Sequence, residues 1–87
     1  MLGSQNVQLK TDLKRLIVET CRKKIPSETI PDHAPLIGSD SFLGLDSLDV
    51  LELSVALKKR YGVRITDSKD AMRIMKSIDA LADTVEP

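Results

Sequence analysis

The chain has 87 residues, with 13 Lys plus Arg against 13 Asp plus Glu, one Cys and 41 % apolar residues. That leaves room for one small core, read as a single domain over residues 1–87 with an ordered part from about 7 to 85, and it excludes both a two-domain protein and a disordered one. A net charge of +0 and only two aromatic residues, Phe42 and Tyr61, supply neither the basic footprint nor the stacking platform of a nucleic-acid binder.

From Val7 to about Lys24, Leu9, Leu13, Leu16 and Ile17 recur at helical spacing, so a first amphipathic helix is expected there. Cys21 lies on that helix as an inert thiol. With no second cysteine a disulfide framework is excluded. There is no basic leader followed by an apolar run, and no apolar stretch approaches the roughly 20 residues of a membrane span. The expectation is a cytoplasmic monomer with no membrane insertion.

Pro26, Pro31, Pro35, Gly38 and Gly44 then break regular structure over a long connection. Ile30, Leu36, Ile37, Phe42 and Leu43 within it should pack across the helices. His33 stands alone, without metal-ligand spacing, and reads as a surface imidazole.

A second helix is expected over Ser47 to Tyr61, ended by Gly62, with Lys58, Lys59 and Arg60 suited to the negative end of its dipole. It is apolar on two sides. Val50, Leu53, Ser54, Leu57 and Tyr61 form a core stripe, whereas Leu48, Leu51 and Val55 form a second stripe bordered by Asp49, Glu52 and Lys59 and read as a partner face. Val63 to Ile65 is extended, Thr66 or Asp67 caps a short helical turn through Ala71 and Met72, and Ser77 caps a last helix with Ile78, Leu81, Ala82 and Val85 inward. The fold expected is all-α, a small four-helix bundle of three principal helices and one short one, with a long loop between the first two.

Charge is segregated along this plan. Residues 26–57 hold Glu28, Asp32, Asp40, Asp46, Asp49 and Glu52 and no Lys or Arg, so every basic residue lies in the flanks. Where the long loop meets the second helix stands Leu43-Gly44-Leu45-Asp46-Ser47-Leu48-Asp49. Asp46 is a good N-cap, with Ser47 at the first helical position. Capping alone accounts for those residue types, and a helical protein–protein interaction module with Ser47 as a polar bystander stays open. A phosphate linked to Ser47 would face unpaired N–H groups and the positive end of the helix dipole. A serine hydrolase fits poorly, because Gly-x-Ser-x-Gly is absent and His33 would be the only histidine base.

Gly44, Asp46-Ser47-Leu48, Asp49, Glu52 and Leu53, set after a long Pro-containing loop and followed by Val55-Ala56-Leu57 and Tyr61, resemble the acyl carrier protein family from about Leu9 to Val85. The resemblance implies a non-enzymatic, stand-alone carrier. Ser47 would receive a 4′-phosphopantetheine arm from coenzyme A through a phosphopantetheinyl transferase (holo-carrier synthase), Asp46 would assist that attachment, and the chain itself would hold no metal. Leu48, Asp49, Leu51, Glu52 and Val55 would meet partners such as the transferase, an acyl-carrier synthetase or acyltransferase, and a ketosynthase, in fatty-acid, lipid or polyketide-type biosynthesis. An aminoacyl or peptidyl carrier uses the same arm and is the alternative. Lys58-Lys59-Arg60 depart from the acidic continuation usual in fatty-acid carriers, which implies a specialised pathway. The residues Leu16, Phe42, Leu53, Leu57, Ile65, Ile78 and Leu81 are expected to form an aliphatic core that could open to shelter cargo.

Overall fold

The computed structural model describes residues 2–38 and 40–87. Its helices are α1 (Val7–Thr20), α2 (Ser47–Tyr61), α3 (Ser68–Ile74) and α4 (Ile78–Val85), with 3-10 turns at Gly3–Gln5 and Ser27–Thr29. All four expected helices are present, and α4 at 8 residues is nearly as short as α3 at 7.

Each start is set by a polar side chain that takes up a backbone N–H left unpaired by the first turn. Asn6 accepts from Leu9, Asp67 from Asp70 and Ser77 from Ala80, which decides for Asp67 over Thr66 at α3. α1 ends earlier than expected, at Thr20. Arg22 turns left-handed (φ 55) and the Lys23 N–H closes on the Val18 carbonyl at 3.0 Å, a Schellman-type stop. The apolar spacing of α1 runs out at Cys21, and Pro26 disfavours helix at Ile25, so nothing rewards a further turn.

Leu9, Leu13, Leu16 and Ile17 of α1, Leu53 and Leu57 of α2, and Ile78, Leu81 and Ala82 of α4 are buried together, joined by Ile30, Leu36, Leu43 and Leu45 from the long loop. The loop thus supplies part of the core, as its apolar residues suggest. Phe42 corrects that picture: it is 50 % exposed, because the alternate residues Leu43 and Leu45 take the inward positions. The cost of exposing one aromatic ring is small against burying two leucines.

Ion pairs tie the loop to the frame. Asp32 Oδ1 is out of solvent contact and is met by Lys14 Nζ at 2.6 Å, while Asp32 Oδ2 takes Lys10 Nζ at 3.0 Å. Lys10 also reaches Asp79 at 3.3 Å, and the Asp79 N–H donates to the Asp32 carbonyl, so α1, the loop and α4 meet at one point. His33 lies against Asp79 with its ring largely in solvent. The Lys14 ammonium paired with it, then the Lys10 hydrogen bond, hold the Asp32 carboxyl below its ordinary pKa against the opposing effect of burial, and Asp32 in turn raises Lys10.

A carboxyl whose pKa is lower folded than unfolded stabilises the fold above its unfolded value, near 3.9, and the gain disappears as pH falls through the folded value. Asp32→Asn should therefore cost about 1 kcal/mol near neutral pH, the scale of a partly exposed charge-assisted network. Urea unfolding at pH 7 and below pH 3 checks this, with the two proteins expected to converge in acid.

Candidate functional site

The end of the long loop is closed by its own backbone before α2 begins. Ile37 and Leu45 form an isolated parallel bridge, with the Gly38 N–H on the Leu45 carbonyl at 3.0 Å and the Leu45 N–H on the Leu36 carbonyl at 3.2 Å. Inside this turn Ser41 Oγ accepts the Gly44 N–H at 2.9 Å and lies 2.7 Å from the Gly38 carbonyl. Gly44 takes a left-handed φ of 61°, which a side chain would strain, and this reverses the chain so that Leu45 points in and Asp46 out.

α2 then starts in a reciprocal capping box. Asp46 Oδ1 accepts the Asp49 N–H at 2.9 Å, and Asp49 Oδ2 accepts the Asp46 N–H at 3.2 Å. Asp46 is the cap that the sequence suggests; the answering bond from Asp49 was legible only as an acid three residues on. The C-terminal end of α1 packs beside this turn, with Cys21 Sγ 4.0 Å from the Asp49 carbonyl and Lys23 Nζ 3.8 Å from Asp49 Oδ2. Burial, then the nearby Asp49 charge, pushes the Cys21 thiol up to about 11, so it stays protonated and unreactive at neutral pH.

Ser47, the first residue of α2, is exposed, and among the described residues its hydroxyl takes no hydrogen bond. The hydroxyls of Ser54, Ser77 and Ser41 are engaged: Ser54 donates to the Val50 carbonyl at 2.7 Å, Ser77 caps α4 and Ser41 serves the loop. Ser68, the first residue of α3, is exposed and, like Ser47, its hydroxyl takes no hydrogen bond among the described residues. Ser47 also borders a cleft of about 590 Å³ between α2 and α3, walled by Ile37, Val50, Leu51, Ile65, Ala71 and Met72. That volume lies within the range of about 300–1,000 Å³ usual for small-molecule sites. The cleft shares only Ile65 with the core from which a cargo space was expected: Leu53, Leu57, Ile78 and Leu81 are fully enclosed, and the opening lies on their outer side.

Leu48, Leu51 and Val55 are exposed at 60, 62 and 47 %, as the second stripe requires. Asp49 and Glu52 are half-buried beside them. Among the described residues no group of three His, Cys, Asp or Glu side chains could hold a metal ion, and no helix is long and apolar enough to cross a membrane.

The described residues thus form a small helical bundle with an exposed, unpartnered hydroxyl at the capped start of α2 beside an apolar cleft. Comparison with known sequences identifies its family. The family described as "Phosphopantetheine attachment site" matches residues 11–85. An acyl carrier protein of Campylobacter lari is 34 % identical over 70 residues, covering 80 % of this chain and 83 % of its own length. One from Nitratidesulfovibrio vulgaris (strain DP4) is 31 % identical over 75 residues, covering 86 % and 91 %. Another, from the Miyazaki F strain, is 48 % identical over 40 residues, about half of each chain at 46 % and 51 %.

The chain belongs to the phosphopantetheine-binding acyl carrier protein family, and its cofactor is a 4′-phosphopantetheine joined covalently to a serine. The residues present fit that group, because an exposed hydroxyl without a partner, on a helix start, leaves both the oxygen and the surrounding space for a phosphodiester.

The capping geometry generates a prediction. Asp46→Ala should destabilise the fold by about 1 kcal/mol, the usual cost of a lost N-cap, whereas Asp46→Asn should retain most of the stability because its carbonyl oxygen still accepts the Asp49 N–H. Urea unfolding of the two variants beside the parent protein checks it.

Proposed function

We propose that this chain carries acyl groups as thioesters on a 4′-phosphopantetheine arm attached to Ser47, and passes them between enzymes of fatty-acid, lipid or polyketide-type biosynthesis. The observation that carries the proposal is the free Ser47 hydroxyl opening onto the cleft between α2 and α3. When bound, the arm supplies the thiol that holds the cargo.

The chain's own residues do the rest. Asp46 and Asp49 fix the first turn of α2, so that Ser47 Oγ stands in solvent within reach of a transferase rather than folded against backbone. Asp46, adjacent to the hydroxyl and exposed, is placed to assist attachment at the transferase's metal site. Val50, Ile65, Ala71 and Met72 offer an apolar wall that favours an acyl chain over a charged aminoacyl group. Leu48, Leu51 and Val55, with Asp49 and Glu52 beside them, present the face to which the transferase, an acyltransferase or synthetase, and a ketosynthase would dock. In this reading the protein performs no catalysis of its own and works in a reducing cytoplasm, where its single thiol needs no partner.

Intact mass spectrometry after incubation with coenzyme A, Mg²⁺ and a broad-specificity phosphopantetheinyl transferase tests the proposal. One phosphopantetheine should be gained by the parent protein and none by Ser47→Ala, with the helical circular dichroism of the two unchanged. Equal gain by both, or no gain by a folded parent protein with several transferases, would overturn Ser47 as the attachment point.

A further inference from the structure

The outer face of α2 changes sign along its length. Leu48, Leu51 and Val55 recur at steps of three and four, and the same spacing continues through Lys58 and Lys59, so these five side chains share one side of the helix. Glu52 lies beside these side chains in the first half of the helix, Asp46 caps its start, and Lys58, Lys59 and Arg60 are exposed at the other end. Among the described residues Asp46, Glu52, Lys58, Lys59 and Arg60 enter no ion pair within the chain. A shallow pit of about 170 Å³, walled by Val55, Val63 and Ile65 and bordered by Lys58, lies at the basic end, so the contact surface does not stop at the acidic half.

Resting on the carrier reading above, we propose that α2 docks a partner protein of matching two-sign chemistry, with basic side chains against Asp46 and Glu52 and carboxylates against Lys58 and Lys59. An unbroken basic docking surface suits the first half of the helix and is repelled by the second. Lys58 and Lys59 thereby reject partners built for a uniformly acidic carrier, and the apolar centre supplies the adhesion common to both kinds. Opposite charges at the two ends also fix the direction in which a partner lies along the helix.

The test uses the isotope-labelled chain without its arm, so that it is independent of attachment at Ser47. Two synthetic amphipathic helices with the same leucine face serve as probes, one with Lys in one half and Glu in the other, one with Lys throughout. Backbone amide shifts follow each titration. The parent protein should bind the two-sign helix about fivefold more tightly than the all-Lys helix, the scale of two exposed charge pairs. The shifts should fall on α2 from its start to Arg60.

Lys58→Glu with Lys59→Glu should reverse that preference, while Arg15→Glu with Lys76→Glu, which lowers the net charge equally, should leave it in place. The inference is overturned if both double variants shift the preference alike, if the perturbed amides lie off α2, if neither helix binds at millimolar concentration, or if the chain instead pairs with a second copy of itself. Any of those results beside normal loading of Ser47 would remove the inference and leave the carrier function standing.

Discussion

The pair of hydrogen bonds between Asp46 and Asp49 fixes the residue at which α2 begins, and the placement of the α2 side chains follows from that position. A helix has one register once its start is set. With Asp46 as cap, Leu53 and Leu57 turn into the core, while Leu48, Leu51 and Val55 turn outward. Ser47 falls at the first helical position, with its hydroxyl in solvent. A start one residue later would rotate the same side chains by about 100° and bring the serine into the cap.

The rest of the structure holds that start in place while leaving one side open. α1 and α4 pack together and, through Lys10, Lys14, Asp32 and Asp79, pin the middle of the long loop. Farther on, the Ile37–Leu45 bridge and Ser41 close the loop immediately before the cap. α3 packs on α4, and the space it leaves against α2 is the cleft beside Ser47. The ion pairs and the fully enclosed leucines of α1, α2 and α4 thus lie away from that cleft. The cleft is walled by half-buried or exposed side chains such as Val50, Ile65 and Met72, whose displacement disturbs few of the fully enclosed leucines.

Much of this was legible in the residues. α2 could be bounded at both ends because Asp46 and Gly62 act locally: one accepts an N–H three residues ahead, and the other adopts the left-handed φ of 71° that ends the helix. The core faces followed from spacing, and so did the outward stripe. Features that depend on long-range geometry were not legible. The end of α1 is set by a left-handed arginine, a conformation that residue type does not announce. Phe42 reads as core by hydrophobicity, yet the loop offers its inward positions to Leu43 and Leu45. The cleft joins residues from the loop, α2 and α3 that are far apart in sequence, and Lys23 reaches Asp49 only because the two helix ends meet.

The central claim is that the hydroxyl at the start of α2 and the cleft beside it form one site. Nuclear Overhauser contacts in the chain loaded with an octanoyl-bearing arm test this most directly. The acyl methylenes should show contacts to the methyl groups of Val50, Ile65, Ala71 and Met72. An arm present on Ser47, with an acyl chain that touches none of these residues, would contradict the account.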